Sequence, residues 1–170
     1  MEAAIKMKKL KYIRVLLIVL ILMWMGVIFG FSSKNGTQSS KSSGRVTKTV
    51  ISVCYPAYSA LSENQQIILF QKVNFFIRKA AHFMEYFILA VLVTFLIITF
   101  DKKGFSAIIC AVVICAAFAA SDEIHQGFVS GRSPSVKDVI LDTSGAASAS
   151  CLIIIIYKIR HKSGGNYDIR

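Results

Sequence analysis

The residues of this chain whose types and spacing suit chemistry gather in one stretch, Ser121 to Asp142, SDEIHQGFVSGRSPSVKDVILD. It holds Asp122, Glu123, Asp138 and Asp142, four of the chain's nine acids, and His125, one of its three histidines. Carboxylates and an imidazole held together can move protons, orient cations or grip a polar headgroup. The stretch lies between two apolar runs, each long enough to enter a bilayer. Ionisable groups at membrane depth are costly and are kept where they are buried together or face a watery cavity, so they mark functional sites by default.

A second polar segment, Arg78-Lys79-Ala80-Ala81-His82-Phe83-Met84-Glu85-Tyr86, opens another apolar run. His82 and Glu85 are three residues apart and share a helix face, and Asp138 and Asp142, four apart, share another. Asp122 neighbours both His125 and Gln126 if its helix continues that far. Arg78, Lys79 and Arg132 are the expected counter-ions, with Arg132 in a Gly131-Arg132-Ser133-Pro134 turn that can fold back over the carboxylates. The candidate acid–base groups are His82, Glu85, Asp122, Glu123, His125 and Asp138; the candidate ligand contacts are Arg78, Lys79, Gln126, Arg132 and Asp142. The bland alternative is a hydrogen-bond and ion-pair network that only fixes helix register. No serine stands in a nucleophile elbow and no glycine-rich phosphate cradle is present. His82-x-x-Glu85 and Glu123-x-His125 offer nitrogen and oxygen ligands, but neither matches a zinc motif such as HExxH; no metal and no cofactor is expected.

These groups must be positioned by membrane helices. The chain has 170 residues, 55% hydrophobic and 17% charged, with a mean hydropathy of +0.59, which is too apolar and too poor in charge for a soluble domain. Four runs stand out, at about residues 12–31, 82–100, 105–121 and 139–157, each near the roughly 20 residues a helix needs to cross hydrocarbon. The expected fold is an all-α integral membrane protein of four transmembrane helices, one domain over residues 1–170, with an interfacial helix or loop on the outer face after the first span. The first run exceeds a signal-peptide core and no A-x-A-like site follows, so it reads as a retained helix. Small residues, Ala116, Ala117, Ala119 and Ala120 on the third span and the pairs Gly145/Ala149 and Ala146/Ser150 on the fourth, would let helices approach closely. Cys110, Cys115 and Cys151 read as packing residues within apolar runs and Cys54 as a lone loop residue, with no disulfide framework. Trp24 and Met25 also read as packing.

The net charge of +11 comes from basic residues that flank apolar runs, which points to membrane topology and lipid headgroups and away from nucleic acid. Lys6, Lys8, Lys9, Lys11 and Arg14, then Lys102 and Lys103, then Lys158, Arg160 and Lys162 fall on one side of a four-span bundle; that side, with both termini, is expected to be cytoplasmic. His161 reads as a solvated tail residue. The segment 32–45, rich in serine and glycine, reads as an exposed loop. Ser62 with Gln65 forms a capping box, so a helix should start there; the apolar residues from Ile67 to Ile77 then form either an amphipathic interfacial element or a plain extension of the second span. A transporter reading needs polar residues reaching both faces, and Ile108 to Ala120 carries none.

Three blocks of the chain, taken in order, resemble the VanZ-like family of small bacterial membrane proteins: Phe31-Ser32-Ser33; Arg78-Lys79-Ala80-Ala81-His82-Phe83 with Tyr86; and Ser121-Asp122-Glu123-x-His125-Gln126-x-Phe128 with Gly131-Arg132, Asp138, Asp142 and Gly145. Lys34 stands where the family often has Gln, and Ser130 where a Pro commonly precedes Gly-Arg. The resemblance implies a bacterial cell-envelope protein in a family whose named member is associated with teicoplanin resistance; it implies no catalytic residues. The expected function is engagement of an anionic lipid or cell-wall precursor at the outer leaflet, lowering glycopeptide access. The expected partners are membrane lipids, with a cell-wall precursor or glycopeptide-related ligand at the site. The alternative is a membrane enzyme acting on a lipid-linked phosphate or ester through the His/Asp/Glu cluster.

Overall fold

The computed structural model describes residues 2–102 and 104–164, with residues 2–4, 6 and 161–164 described by backbone alone. The side chains of Lys6, Lys103, His161 and Lys162, used above to orient the chain or read as tail, lie outside those described. Five α-helices appear among the described residues: α1 Glu2–Ser32, α2 Gly36–Cys54, α3 Glu63–Ile98, α4 Phe105–Gln126 and α5 Val136–Gly164, with a short 3-10 turn at Pro56–Ala60. Four of them are long and apolar enough to cross a membrane, over Met7–Ser32, Glu63–Ile98, Phe105–Gln126 and Val136–Arg160.

α1 and α4 run in one direction, α3 and α5 in the other. Arg14 of α1 bonds to Thr99 at the end of α3, while Trp24 reaches Glu85; Lys79 pairs with Asp138 and Thr94 with Ser150, which sets α3 and α5 parallel. The start of α1, the α3–α4 turn and the end of α5 therefore share one end of the bundle. The α1–α2 junction and the α4–α5 loop share the other, which is where the polar residues gather.

In the core, small residues of α4 and α5 meet larger ones of α3, Tyr86, Leu89, Val93 and Ile97. Ala107, Ala111, Cys115 and Ala119 are buried at four-residue spacing on α4, and Ala146, Ala149 and Ser150 on α5. Of the four alanines expected to close the third span only Ala119 is fully buried, and Ala117 is exposed. The register corrects that expectation: the buried stripe advances by one turn at a time and selects one alanine from the run. Both pairs expected on α5 are buried, and at Gly145 an added Cβ would collide with the Phe83 backbone of α3. Closely approaching backbones replace the hydrophobic driving force that lipid withholds. Outward-facing Leu16, Leu20, Leu22, Met23, Ile109 and Val113 are exposed, as lipid-facing positions should be.

The serine-rich segment 32–45 is not a loop beyond residue 35, and this corrects the sequence reading. Asn35 caps α2: its side chain accepts the Gln38 N–H at 2.8 Å, and Gln38 Oε1 accepts the Asn35 N–H at 3.4 Å. Ser42, Ser43 and Thr47 turn their hydroxyls back onto carbonyls one turn earlier, which removes their usual competition with the helix. Thr47 also donates to Asn74 Oδ1 at 2.9 Å, tying α2 to α3. Pro56 then ends α2, since its ring disfavours helix in the residue before it. α3 starts where the capping box places it, with the Ser62 N–H donated to Gln65 Oε1 at 3.1 Å. Of the two readings for Ile67 to Ile77, continuity with the second span holds, because α3 is unbroken over 36 residues. At 1.5 Å per residue it is about 54 Å long, well beyond the roughly 30 Å of hydrocarbon. The helix holding Asp122 continues to Gln126, and α5 begins at Val136, so Asp138 and Asp142 lie in its first two turns.

Candidate functional site

Three groups of contacts bind the polar end together. The first centres on Asp122, which is 2% exposed. Ser32 Oγ donates to Asp122 Oδ2 at 2.5 Å, Gln126 Nε2 donates to the same oxygen at 3.1 Å and to Ser32 Oγ at 3.0 Å, and Arg132 Nη1 donates to Gln126 Oε1 at 2.7 Å. This chain runs from the end of α1, through two turns of α4, to the α4–α5 loop. Gly131 takes a positive φ of 74° beside Arg132, a conformation glycine adopts without strain. Gly36 lies close enough to that loop for an added Cβ to sit 2.7 Å from the Gly131 carbonyl oxygen.

The second group joins α3 to α5. Lys79 pairs with Asp138, and His82 Nδ1 lies 3.8 Å from Glu85 Oε2 and 4.0 Å from Asp142 Oδ1. Asp142 is 1% exposed. The third joins α4 to α5: Glu123 Oε2 accepts the Ser135 N–H at 2.7 Å, at the entry to α5. Trp24, expected only to pack, donates its indole N–H to the Glu85 carbonyl at 2.9 Å.

Of the expected residues, the structure brings together His82, Glu85, Asp122, Gln126, Arg132, Asp138, Asp142 and Lys79. His125 points elsewhere: its ring stacks on Phe29 at 4.1 Å and its Nε2 is 3.2 Å from Ser33 Oγ, outside the cluster. Residues 122 and 125 are three apart, but Asp122 turns inward and His125 toward the half-exposed α1 face. The counter-ion expectation also needs correction. Only Lys79 pairs with a carboxylate; Arg132 bonds to the neutral Gln126 amide, and Arg78 has no hydrogen bond or ion pair among the described residues. Sequence reasoning missed Ser32 and Tyr86 as members. Tyr86 is fully buried with its hydroxyl unpartnered. The signal for both was present in their place within the motif blocks, at the polar end of their spans.

Six buried polar atoms at this end have no hydrogen-bond partner: His82 Nδ1, Tyr86 Oη, Asp122 Oδ1, Glu123 Oε1, Arg132 Nε and Asp142 Oδ1. Each unpaired buried group costs about 1–3 kcal/mol, so these six atoms have donors and acceptors to give to a water or a bound ligand. A cavity of about 330 Å³ opens here between α2, α3 and the α4–α5 loop, its lining including the charged or titratable Arg78, His82, Glu85 and Arg132 and the apolar Phe31, Val46 and Ile77. A smaller one of about 210 Å³ also touches Arg78, His82 and Arg132. Burial, and then the neighbouring Arg78 guanidinium, hold Arg132 below the ordinary arginine range. Asp122, Glu123 and Glu85 act in the opposite direction, so Arg132, which stays charged, sits between a second cation and three carboxylates and is hydrogen-bonded to none of them. Among the described residues no three His, Cys, Asp or Glu side chains come together to hold a metal ion.

Four long apolar helices with a buried polar cluster and cavity at one end define a multi-pass membrane protein. Residues 17–157 match the VanZ/LLP1 family model, most of the chain, and the protein belongs to that family. No curated protein and no solved structure matches the chain.

Proposed function

We propose that this VanZ-like protein sits in a bacterial cell membrane with both termini cytoplasmic, and that its polar cavity engages the phosphate of a lipid headgroup or cell-wall precursor at the outer leaflet. The carrying observation is Arg78 and Arg132 side by side at a cavity, neither bonded to a carboxylate. Two guanidiniums so placed repel each other until an anion bridges them, and their forked donors suit phosphate oxygens. Asp122 and Gln126 orient Arg132, while Asp138 occupies Lys79. Orientation rests on the basic residues at the opposite end, Lys8, Lys9, Lys11, Lys158 and Arg160. Occupying a precursor or reshaping headgroups near it would lower teicoplanin susceptibility.

The test uses purified full-length protein for headgroup binding and a bacterial host for susceptibility. Arg132→Ala and His82→Ala should each weaken binding of a phosphate headgroup and abolish any change in susceptibility. Unchanged binding and susceptibility in both well-expressed variants refute the proposal. The enzymatic alternative draws on His82 standing between two carboxylates, Glu85 and Asp142, an arrangement suited to proton transfer. It requires turnover of a lipid-linked phosphate or ester by purified protein, lost in Asp122→Asn under conditions where that variant stays folded.

A further inference from the structure

The cavity carries both signs of charge. Arg78 and Arg132 supply the cationic side, joined by Lys34, which lies over the Phe31 ring at 4.5 Å. Glu85 supplies a carboxyl group: it accepts no side-chain hydrogen bond among the described residues, and His82 Nδ1 lies 3.8 Å from its Oε2. Behind His82, Asp142 is 1% exposed with Oδ1 unpartnered.

A phosphate alone fits this cavity badly. It satisfies the guanidiniums but offers the Glu85 carboxyl no donor, and an ionised Glu85 meets it as a like charge, which selects against that ligand. A ligand with a phosphate and a primary ammonium a few ångströms apart uses both sides, with the ammonium supplying donors that Glu85 lacks. The apolar wall of Phe31, Val46 and Ile77 suits an attached hydrocarbon chain. We infer that the cavity selects an amine-bearing phosphate headgroup, of the phosphoethanolamine type, over a phosphate headgroup without an amine. This rests on the phosphate-binding reading above and adds a second contact to it.

The molecule carries its own probe. Trp24 is the sole tryptophan, and its indole N–H bonds to the Glu85 carbonyl, so its emission should respond when Glu85 is engaged. Full-length protein in detergent is titrated with dihexanoyl phosphatidylethanolamine and, separately, dihexanoyl phosphatidylglycerol. The ethanolamine lipid should bind about tenfold more tightly, the scale of one charge-assisted hydrogen bond. In Glu85→Gln the ratio should fall to about 1, because an uncharged amide no longer attracts the ammonium. Glycerophosphoethanolamine should displace the ethanolamine lipid, and inorganic phosphate should do so at least tenfold less well. A ratio near 1 in the unaltered protein, a ratio preserved in Glu85→Gln, or equal competition by inorganic phosphate overturns the selectivity. If both lipids bind equally, the phosphate reading survives alone; if neither binds, both fall. The ratio in the unaltered protein depends on no variant folding.

Discussion

The two ends of the bundle handle charge in opposite ways. At the end holding the start of α1, Arg14 is fully used: its Nε donates to Thr99 Oγ1 at 3.2 Å, its Nη2 donates to the Thr99 carbonyl, and its guanidinium lies 4.0 Å from the centre of the Phe100 ring. One cation is met by two hydrogen bonds and an aromatic face, all from the protein. At the other end five carboxylates, one histidine and three cations converge, and among the described residues six buried polar atoms have no hydrogen-bond partner. Both ends face the same cost of placing charge beside hydrocarbon. Arg14 meets it with groups of the protein, whereas the unmet donors and acceptors at the other end are open to a water or a ligand.

Variants should separate architecture from ligand binding along this divide. The largest effect on stability belongs to the helix contact beneath the site. Gly145→Leu drives a side chain into the Phe83 backbone and should destabilise the protein by about 3 kcal/mol through overpacking, measured by thermal unfolding in detergent. Next is Asp122→Ala, which strips the shared acceptor from Ser32 and Gln126 and should cost about 2 kcal/mol; Asp122→Asn, which keeps an acceptor oxygen, should cost less. Arg14→Ala at the opposite end should cost about 1 kcal/mol and leave headgroup affinity unchanged; a change in affinity there would break the comparison. Smallest is Thr94→Val in the middle of the bundle. It removes the 3.0 Å bond to Ser150 and should cost about 0.6 kcal/mol, the usual scale between membrane helices.

Much of this divide was legible in the sequence, for physical reasons. Unbroken apolar runs admit few structures in lipid, so the four spans and their alternating direction followed. Alternation then brought His82 and Glu85 to the same end as Asp138 and Asp142, and helical spacing put each pair on a face. Which cation met which carboxylate was not legible. Arg78, Lys79 and Arg132 are equivalent in charge, and only helix rotation decides that Lys79 reaches Asp138 while Arg78 is left free. Helix rotation also sent His125 to Ser33 and Phe29, away from the cluster. α2 was hidden because serine and glycine signal loops on average; the Asn35/Gln38 capping box was the local signal that outweighed them. Ser32 and Tyr86 were hidden because a hydroxyl at the end of an apolar run does not show what it faces until the neighbouring helices are placed.

The central claim is that the unpaired cations at the polar end serve a ligand and do not support the fold. It is tested most directly by measuring thermal stability and phosphate-headgroup affinity together in the double variant Arg78→Ala/Arg132→Ala. Arg78 makes no hydrogen bond or ion pair among the described residues and Arg132 makes one, to the Gln126 amide. The double variant should therefore destabilise the protein only by the loss of that bond, about 1 kcal/mol, while affinity for a dihexanoyl phospholipid falls at least tenfold. A larger loss of stability with affinity intact would contradict the account and return the polar end to a structural role.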